Sequence, residues 1–315
     1  MYGRHPVADA SRATRAILSN FLARGAPGLY VRLTQETGRG RGAETPESVA
    51  QYFTTCFFDY FDQMAVPPEA IEDVLRDKHL LEYGPGDVPG VALLMLAHGA
   101  ARVTCVDRFA LSQRSPFQLE VLQCLLDNLD PEARERAAAC FMRPGDPASG
   151  LRTERLEYRV TRDGLSDLQS EVDLIYSRAV LEHVNDLDST FRDMARALKP
   201  GALAVHQVDL KSHGLHRENP LDFLTWPVGL WHWMYAGKGV PNRWRLDRYQ
   251  QAIAGAGLVI RHLESTAEAL DEDIAAVTPY LAEPFRRLDP DTLRCLGFWL
   301  VVTKPAPGNG PRAAA

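Results

Sequence analysis

Leu80-Leu81-Glu82-Tyr83-Gly84-Pro85-Gly86-Asp87-Val88-Pro89-Gly90 is the stretch that decides the architecture. Residues 80–83 make a short strand that runs straight into a glycine-rich bend. Glycine at 84 and 86 lets the backbone turn sharply and leaves no side chain between it and a ligand. Residues 91–98 then read as an apolar helix closed by Gly99, a C-cap residue. The first turn of such a helix presents unpaired N–H groups. Residues 102–107 form a second strand, and strands alternating with helices imply a parallel sheet.

Working outward, a third strand reads over 156–160, a fourth over 172–177 and a fifth over 202–210, with the last two over 258–263 and 298–302. Before the fifth strand, Phe191, Met194, Ala195 and Leu198 form one helical stripe that stops at Lys199-Pro200-Gly201. A further helix reads over 246–256. The expected fold is α/β: a doubly wound, Rossmann-like, seven-stranded and mostly parallel sheet spanning 79–304. Residues 1–78 read as a helical N-terminal lid. Within it, residues 10–22 are helix-forming, residues 38–42 are a Gly/Arg-rich loop, and Thr45-Pro46-Glu47-Ser48 starts a helix with proline in its first turn. That helix carries Tyr52, Phe53, Phe57, Phe58, Tyr60 and Phe61, which read as packing over the core, a placement compatible with a lid. Residues 211–245 are an aromatic-rich insertion after strand five, and 305–315 read as a disordered tail.

The chain has 315 residues, 45% hydrophobic and 24% charged, within the range of globular proteins. Its 35 basic and 41 acidic residues leave a net charge of −6, so nothing draws it as a whole to nucleic acid or anionic membrane. The five cysteines lie apart with no C-x-x-C pair, which fits a reducing cytoplasm and not a disulfide framework. No secretory h-region and no bilayer-length apolar run are present. These features predict a cytoplasmic globular protein with neither nucleic-acid nor membrane partners, and set no oligomeric state.

The bend also has a chemical signature. Glu82 places a carboxylate just before it, suited to an ammonium group. Asp107 ends the second strand 21 residues beyond Gly86, where an acidic side chain binds ribose hydroxyls. The dinucleotide pattern G-x-G-x-x-G fails, because Pro89 stands at the third glycine position. A pyrophosphate gains nothing from Glu82, whereas S-adenosylmethionine (SAM) carries an amine and a sulfonium and no phosphate.

Glu82-Tyr83-Gly84-Pro85-Gly86 resembles motif I of the class I SAM-dependent methyltransferases. The run Asp173-Leu174-Ile175-Tyr176-Ser177-Arg178-Ala179-Val180-Leu181-Glu182-His183-Val184 resembles their strand-four segment, and Leu198-Lys199-Pro200-Gly201 resembles their lead into strand five. Order and spacing agree from about His79 to Thr303. The resemblance implies SAM as cofactor. Glu82, Gly84 and Gly86 would surround its methionine part, Asp107 would hold the ribose, Arg108 would flank the adenine and Asp163 would meet the adenine edge. Ser177 and Arg178 would lie near the sulfonium. The activity implied is O- or N-methylation of a small-molecule metabolite, in secondary metabolism or sugar decoration. The same fold also hosts cyclisation of SAM with release of methylthioadenosine, and aminocarboxypropyl transfer.

On the acceptor side, His206, Asp209, His213 and His216 cluster around strand five. A hydroxyl acceptor needs a base, and His206 and His213 are the candidates. His206 reads equally as a hydrogen-bonded core residue, and His216 as a plain loop residue. Some superfamily members hold a metal with Glu-x-x-Glu-His. Here Glu182-His183 is present but Ala179 stands at the earlier glutamate, so no metal is expected. A bacterial subgroup of small-molecule methyltransferases is similar in its His-x-x-Asp-Leu strand and later Asn-Arg-x-Arg, matched by residues 206–210 and 242–245. Arg243 or Arg245 could hold an acceptor carboxylate or phosphate. Phe223, Trp226, Trp231, Trp233, Tyr235 and Trp244 either shape an apolar pocket or pack a cap on the core.

Overall fold

The computed structural model describes residues 5–34 and 44–306. The Gly/Arg-rich loop at 38–42 and residues 307–315 of the expected tail lie outside the described residues. Four helices come first: α1 (Pro6–Gly25), α2 (Pro27–Thr34), α3 (Pro46–Gln63) and α4 (Ile71–Leu75). Strands and helices then alternate: β1 (His79–Tyr83), α5 (Gly90–Ala97), β2 (Arg102–Asp107), α6 (Pro116–Asp127), α7 (Pro131–Ala138), β3 (Leu156–Val160), β4 (Val172–Arg178), α8 (Leu187–Ala197) and β5 (Leu198–Asp209). The insertion carries α9 (Val228–Tyr235), and the chain continues through α10 (Leu246–Gly255), β6 (Val259–Glu268), α11 (Asp271–Val277), α12 (Pro290–Arg294) and β7 (Cys295–Thr303).

The seven strands lie in the order β3-β2-β1-β4-β5-β7-β6. The first five are mutually parallel, and β7 runs antiparallel to both β5 and β6. The winding reverses between β1 and β4, and in such sheets ligands bind beyond the carboxyl ends of the strands at that reversal. β6 and β7 are longer than hydropathy predicts. They pair along their length, and β6 is an edge strand whose exposed polar residues dilute the apolar signal. Helix α8 stops at Ala197, and Leu198 opens β5 instead of closing the helical stripe.

One face of the sheet is covered by α3, α5, α6 and α7, the other by α8 and α10. Of the aromatic residues in α3, Phe53, Phe57, Tyr60 and Phe61 are buried in the first of these layers. A Cβ at Gly90 would lie 2.3 Å from a Phe53 ring carbon, so glycine is what lets α3 sit on the first turn of α5. Helix α3 thus packs on the core through these four aromatic residues. On the opposite face Asp193 of α8 accepts hydrogen bonds from the Tyr83 hydroxyl (2.5 Å), the Ser166 N–H (2.6 Å) and Arg196 (2.5 Å). These charge-assisted bonds fix α8 to the end of β1 and to the loop after β3.

The remaining mass is a cap. Ala16 of α1 shares a buried cluster with Phe223, Trp226, Trp231 and Met234 of the insertion, and with Ile274 and Phe285 from the segment between β6 and β7. The Asn20 side chain donates to the Trp233 carbonyl (2.9 Å) and accepts from the Gly237 N–H (2.7 Å). Lys238 donates to Ala16 O (3.0 Å) and Ser19 Oγ (2.8 Å), and Arg217 pairs with Asp9. The N-terminal helix and the insertion thus form one packed unit. Among the described residues no helix is long and apolar enough to cross a membrane.

Candidate active site

The bend after β1 has the geometry its glycines suggest. Gly84 (φ +64°) and Gly86 (φ +70°) both occupy the left-handed region. At Gly84 a Cβ would also meet a Val180 methyl at 2.4 Å, so the loop after β4 closes against the bend. Glu82 is buried and, among the described residues, accepts hydrogen bonds from neutral groups, the Cys105 thiol (3.4 Å) and the Tyr176 hydroxyl (3.3 Å). Burial without a cationic partner pushes its carboxyl up to about 8. Asp107, at the end of β2, accepts from the Phe109 N–H (2.9 Å), and the Gly86 backbone N–H also faces its carboxylate. Burial raises its pKa while these N–H groups oppose the rise. Two buried carboxylates flanking a left-handed glycine turn fit a ligand that brings its own ammonium and a pair of hydroxyls.

Arg108 crosses from this side to the acceptor side. Its guanidinium donates to the His183 carbonyl (3.3 Å), and a Cβ at Gly239 of the insertion would lie 2.6 Å from it. Asp163 is exposed in the turn after β3 and acts on Arg108 electrostatically. Ser177 and Arg178 are parted by the pleat. Arg178 points toward α3, paired with Asp59 at 2.6 Å and lying over the Tyr52 and Trp299 rings. Ser177 faces the other way, fully buried, with its hydroxyl 2.7 Å from Nδ1 of His206. Alternate strand residues point to opposite faces, so the two side chains do not converge on one point.

His206 is corrected. It is sealed under α8 against Phe191, its Nε2 has no hydrogen-bond partner, and burial pulls its pKa down to about 3. It is a core histidine, out of an acceptor's reach. His206→Ala is therefore expected to lower stability by about 2 kcal/mol through a cavity and a lost hydrogen bond, with SAM affinity unchanged. Urea denaturation paired with cofactor titration checks this. A large loss of turnover at full stability would restore the base assignment.

The histidine that does reach the carboxyl edge is His213. Its Nε2 lies 4.0 Å from Glu182 and 3.8 Å from Asp209, and its ring meets His183 edge-on at 4.9 Å between centroids. Glu182, His183 and His213 each offer one ligand atom within 4.8 Å of the others, so the missing glutamate at position 179 does not dissolve the cluster. Burial, reinforced by Asp209, pushes Glu182 up to about 8, and burial holds His183 down near 3. Ala179 (φ +52°) and His213 (φ +51°) both hold left-handed backbone beside this corner, a strain typical of functional sites. Asn242 anchors it from the insertion: its N–H donates to the Glu182 carbonyl (2.6 Å) and its amide to Leu181 O (2.9 Å) and Val184 O (3.1 Å). His216 bonds Ser212 outside the cluster.

The two arginines considered for an acceptor anion are struts. Arg243 donates to the Phe223 (3.1 Å) and Trp226 (2.7 Å) carbonyls and is sandwiched by the Trp231 and Phe285 rings. Arg245, 1% exposed, donates to the Leu210 (3.0 Å) and Cys295 carbonyls. Phe223, Trp226 and Trp231 are the interior of the cap, whereas Trp233 is 57% exposed on its outside. Sequence reasoning missed Asp59 and the contact of Gly239 with Arg108, neither of which carries a motif signal.

Residues 36–263, more than two thirds of the chain, match the sequence family described as a methyltransferase domain. No curated protein matches the chain by sequence. Among solved structures, it is similar to a SAM-dependent methyltransferase from Mesorhizobium loti (20% identity, 75% of this chain and 96% of that one, TM-score 0.40). It is also similar to geranyl diphosphate C-methyltransferase from Streptomyces coelicolor A3(2) (16%, 75% and 76%, 0.41). A third is phosphoethanolamine N-methyltransferase 2 of Haemonchus contortus in complex with SAM (15%, 84% and 61%, 0.41).

Proposed function

Because this chain belongs to the class I SAM-dependent methyltransferases, we propose that it methylates a hydroxyl or amine of a small-molecule metabolite held between the cap and the carboxyl edge of β4 and β5. The observation that carries the reading is the convergence there of Glu182, His183, Asp209 and His213 with the cap residue Asn242. SAM supplies an already activated methyl group, so the protein's task is alignment and, for a hydroxyl or ammonium acceptor, removal of a proton. Glu82 would receive the cofactor's ammonium and Asp107 its ribose hydroxyls, with the turn at Gly84 and Gly86 leaving room between them. His213 would take the acceptor's proton as the new bond to the methyl carbon forms and the carbon–sulfur bond breaks, with Asp209 orienting its ring. The −6 net charge supports a small molecule over nucleic acid as acceptor.

Incubation with SAM and candidate metabolites, with mass identification of the nucleoside product, tests this. S-adenosylhomocysteine together with a methylated acceptor is expected. Methylthioadenosine would instead mean cyclisation or aminocarboxypropyl transfer. Asp107→Ala is expected to weaken SAM binding about tenfold through a lost charge-assisted hydrogen bond. Calorimetry measures it, and an unchanged affinity would move the ribose elsewhere.

A further inference from the structure

We propose that Glu182, His183 and His213 form a binding site for one divalent first-row metal ion at the carboxyl edge of β4 and β5. The site's purpose rests on the acceptor reading above; its existence rests on the side chains themselves. Glu182 Oε1 is 4.0 Å from Nε2 of both His183 and His213. Two donors that share an ion at ~2.1 Å lie roughly 3–4 Å apart, so both Glu182–histidine pairs stand at the outer edge of that range, and all three ligand atoms lie within 4.8 Å of one another.

A second observation is independent of that spacing. The Glu182 side chain is 1% exposed, and its Oε2 has no hydrogen-bond partner. Its Oε1 receives only the Asp209 N–H, at 3.3 Å. Among the described residues, the charged-type groups within ion-pair distance of Glu182 are those two histidines, not a lysine or arginine. Asp209 adds further negative charge 3.8 Å from His213. A buried carboxyl with an unpaired oxygen is costly to ionise, and a cation held between it and two imidazoles would favour its ionised form. Asn242 fixes the backbone around Glu182, the outer support that ligand residues need.

The donor set also selects the ion. Two imidazoles and one carboxylate suit zinc, manganese or iron(II), whereas magnesium and calcium prefer shells of oxygen alone. The His213 side chain is 32% exposed, which leaves an open side as in catalytic sites.

The test uses the full chain, stripped with a chelator and kept free of SAM, titrated with Mn²⁺ by electron paramagnetic resonance and with Zn²⁺ by calorimetry. One equivalent is expected, with a rise of several degrees in melting temperature. Glu182→Gln, close to isosteric, and His213→Ala should each weaken binding at least tenfold and abolish the thermal shift. His216→Ala should alter neither. No ion bound at millimolar concentration, or binding indifferent to the Glu182 and His213 changes, overturns the site. Methyl transfer that persists in the absence of any ion would leave the free-base role of His213 standing. Ion binding without methyl transfer to any acceptor would count against the proposed function alone.

Discussion

Glu82→Gln is expected to weaken SAM binding about 100-fold while making the cofactor-free protein more stable. Both effects follow from one buried carboxylate with no cationic partner. In the folded protein its pKa stands near 8 against an ordinary 4.5, so the folded state holds a proton that the unfolded chain has released. Stability from this group is full below pH 4.5 and falls as pH rises toward 8, amounting to a penalty of about 3 kcal/mol at pH 7. Glutamine keeps the shape and cannot ionise. Its amide must still leave water, so a net gain of about 1–2 kcal/mol is expected. The difference in melting temperature between variant and wild type should open between pH 4.5 and 8. SAM affinity of the wild type should climb over the same interval, because the ammonium binds the ionised form. A charge-assisted contact of this kind is worth about 2–3 kcal/mol. Melting curves and calorimetry across pH 5–9 measure both, and a variant that binds SAM normally would remove Glu82 from the cofactor's amine.

Arg245→Ala is expected to lower stability by about 3 kcal/mol. Its guanidinium spans two carbonyls, Leu210 just past β5 and Cys295 at the start of β7. Three effects compete. Burial pulls the pKa of the side chain down to about 10, so removing the charge relieves about 3 kcal/mol. Against that, two buried carbonyls lose their donor at about 1–3 kcal/mol each. The cavity left by a side chain this large adds about 2–4 kcal/mol. The loss wins. Arg245→Lys keeps the charge but not the fork, and should recover part of the deficit. Urea denaturation reads both variants. Unchanged stability with a raised acceptor KM would instead make Arg245 the anion anchor that its place in the sequence suggests.

The sheet was legible because its central strands are largely apolar and its reversal is marked by the glycine bend, whereas the edge strands β3 and β6 carry half-buried or exposed polar residues. Glu82, Gly84, Gly86 and Asp107 were legible with it, since a strand end and the turn after it fix position along the chain. Direction was not. Ser177 and Arg178 are neighbours in sequence, yet one residue of pleat sends them to opposite faces. Arg243 and Arg245 look like surface charges because their partners are main-chain carbonyls, which leave no trace in side-chain chemistry. The corner of Glu182, His183 and His213 was hidden for a different reason. Pairing of β4 with β5, Ser177 opposite His206, brings the segments that follow these strands side by side. Spacing read along one helix or loop cannot show that.

The clasp between α1 and α9 has a bearing on how this enzyme could change its taste in acceptors. Asn20 serves both the Trp233 carbonyl and the Gly237 N–H, and the Lys238 ammonium ends on Ala16 and Ser19. A graft of residues 211–245 alone from another enzyme would remove Lys238, the Trp233 carbonyl and the Gly237 N–H together, and leave Asn20 and Ser19 facing a foreign segment. The two segments, one near the start of the chain and one past its middle, should therefore be exchanged together or not at all.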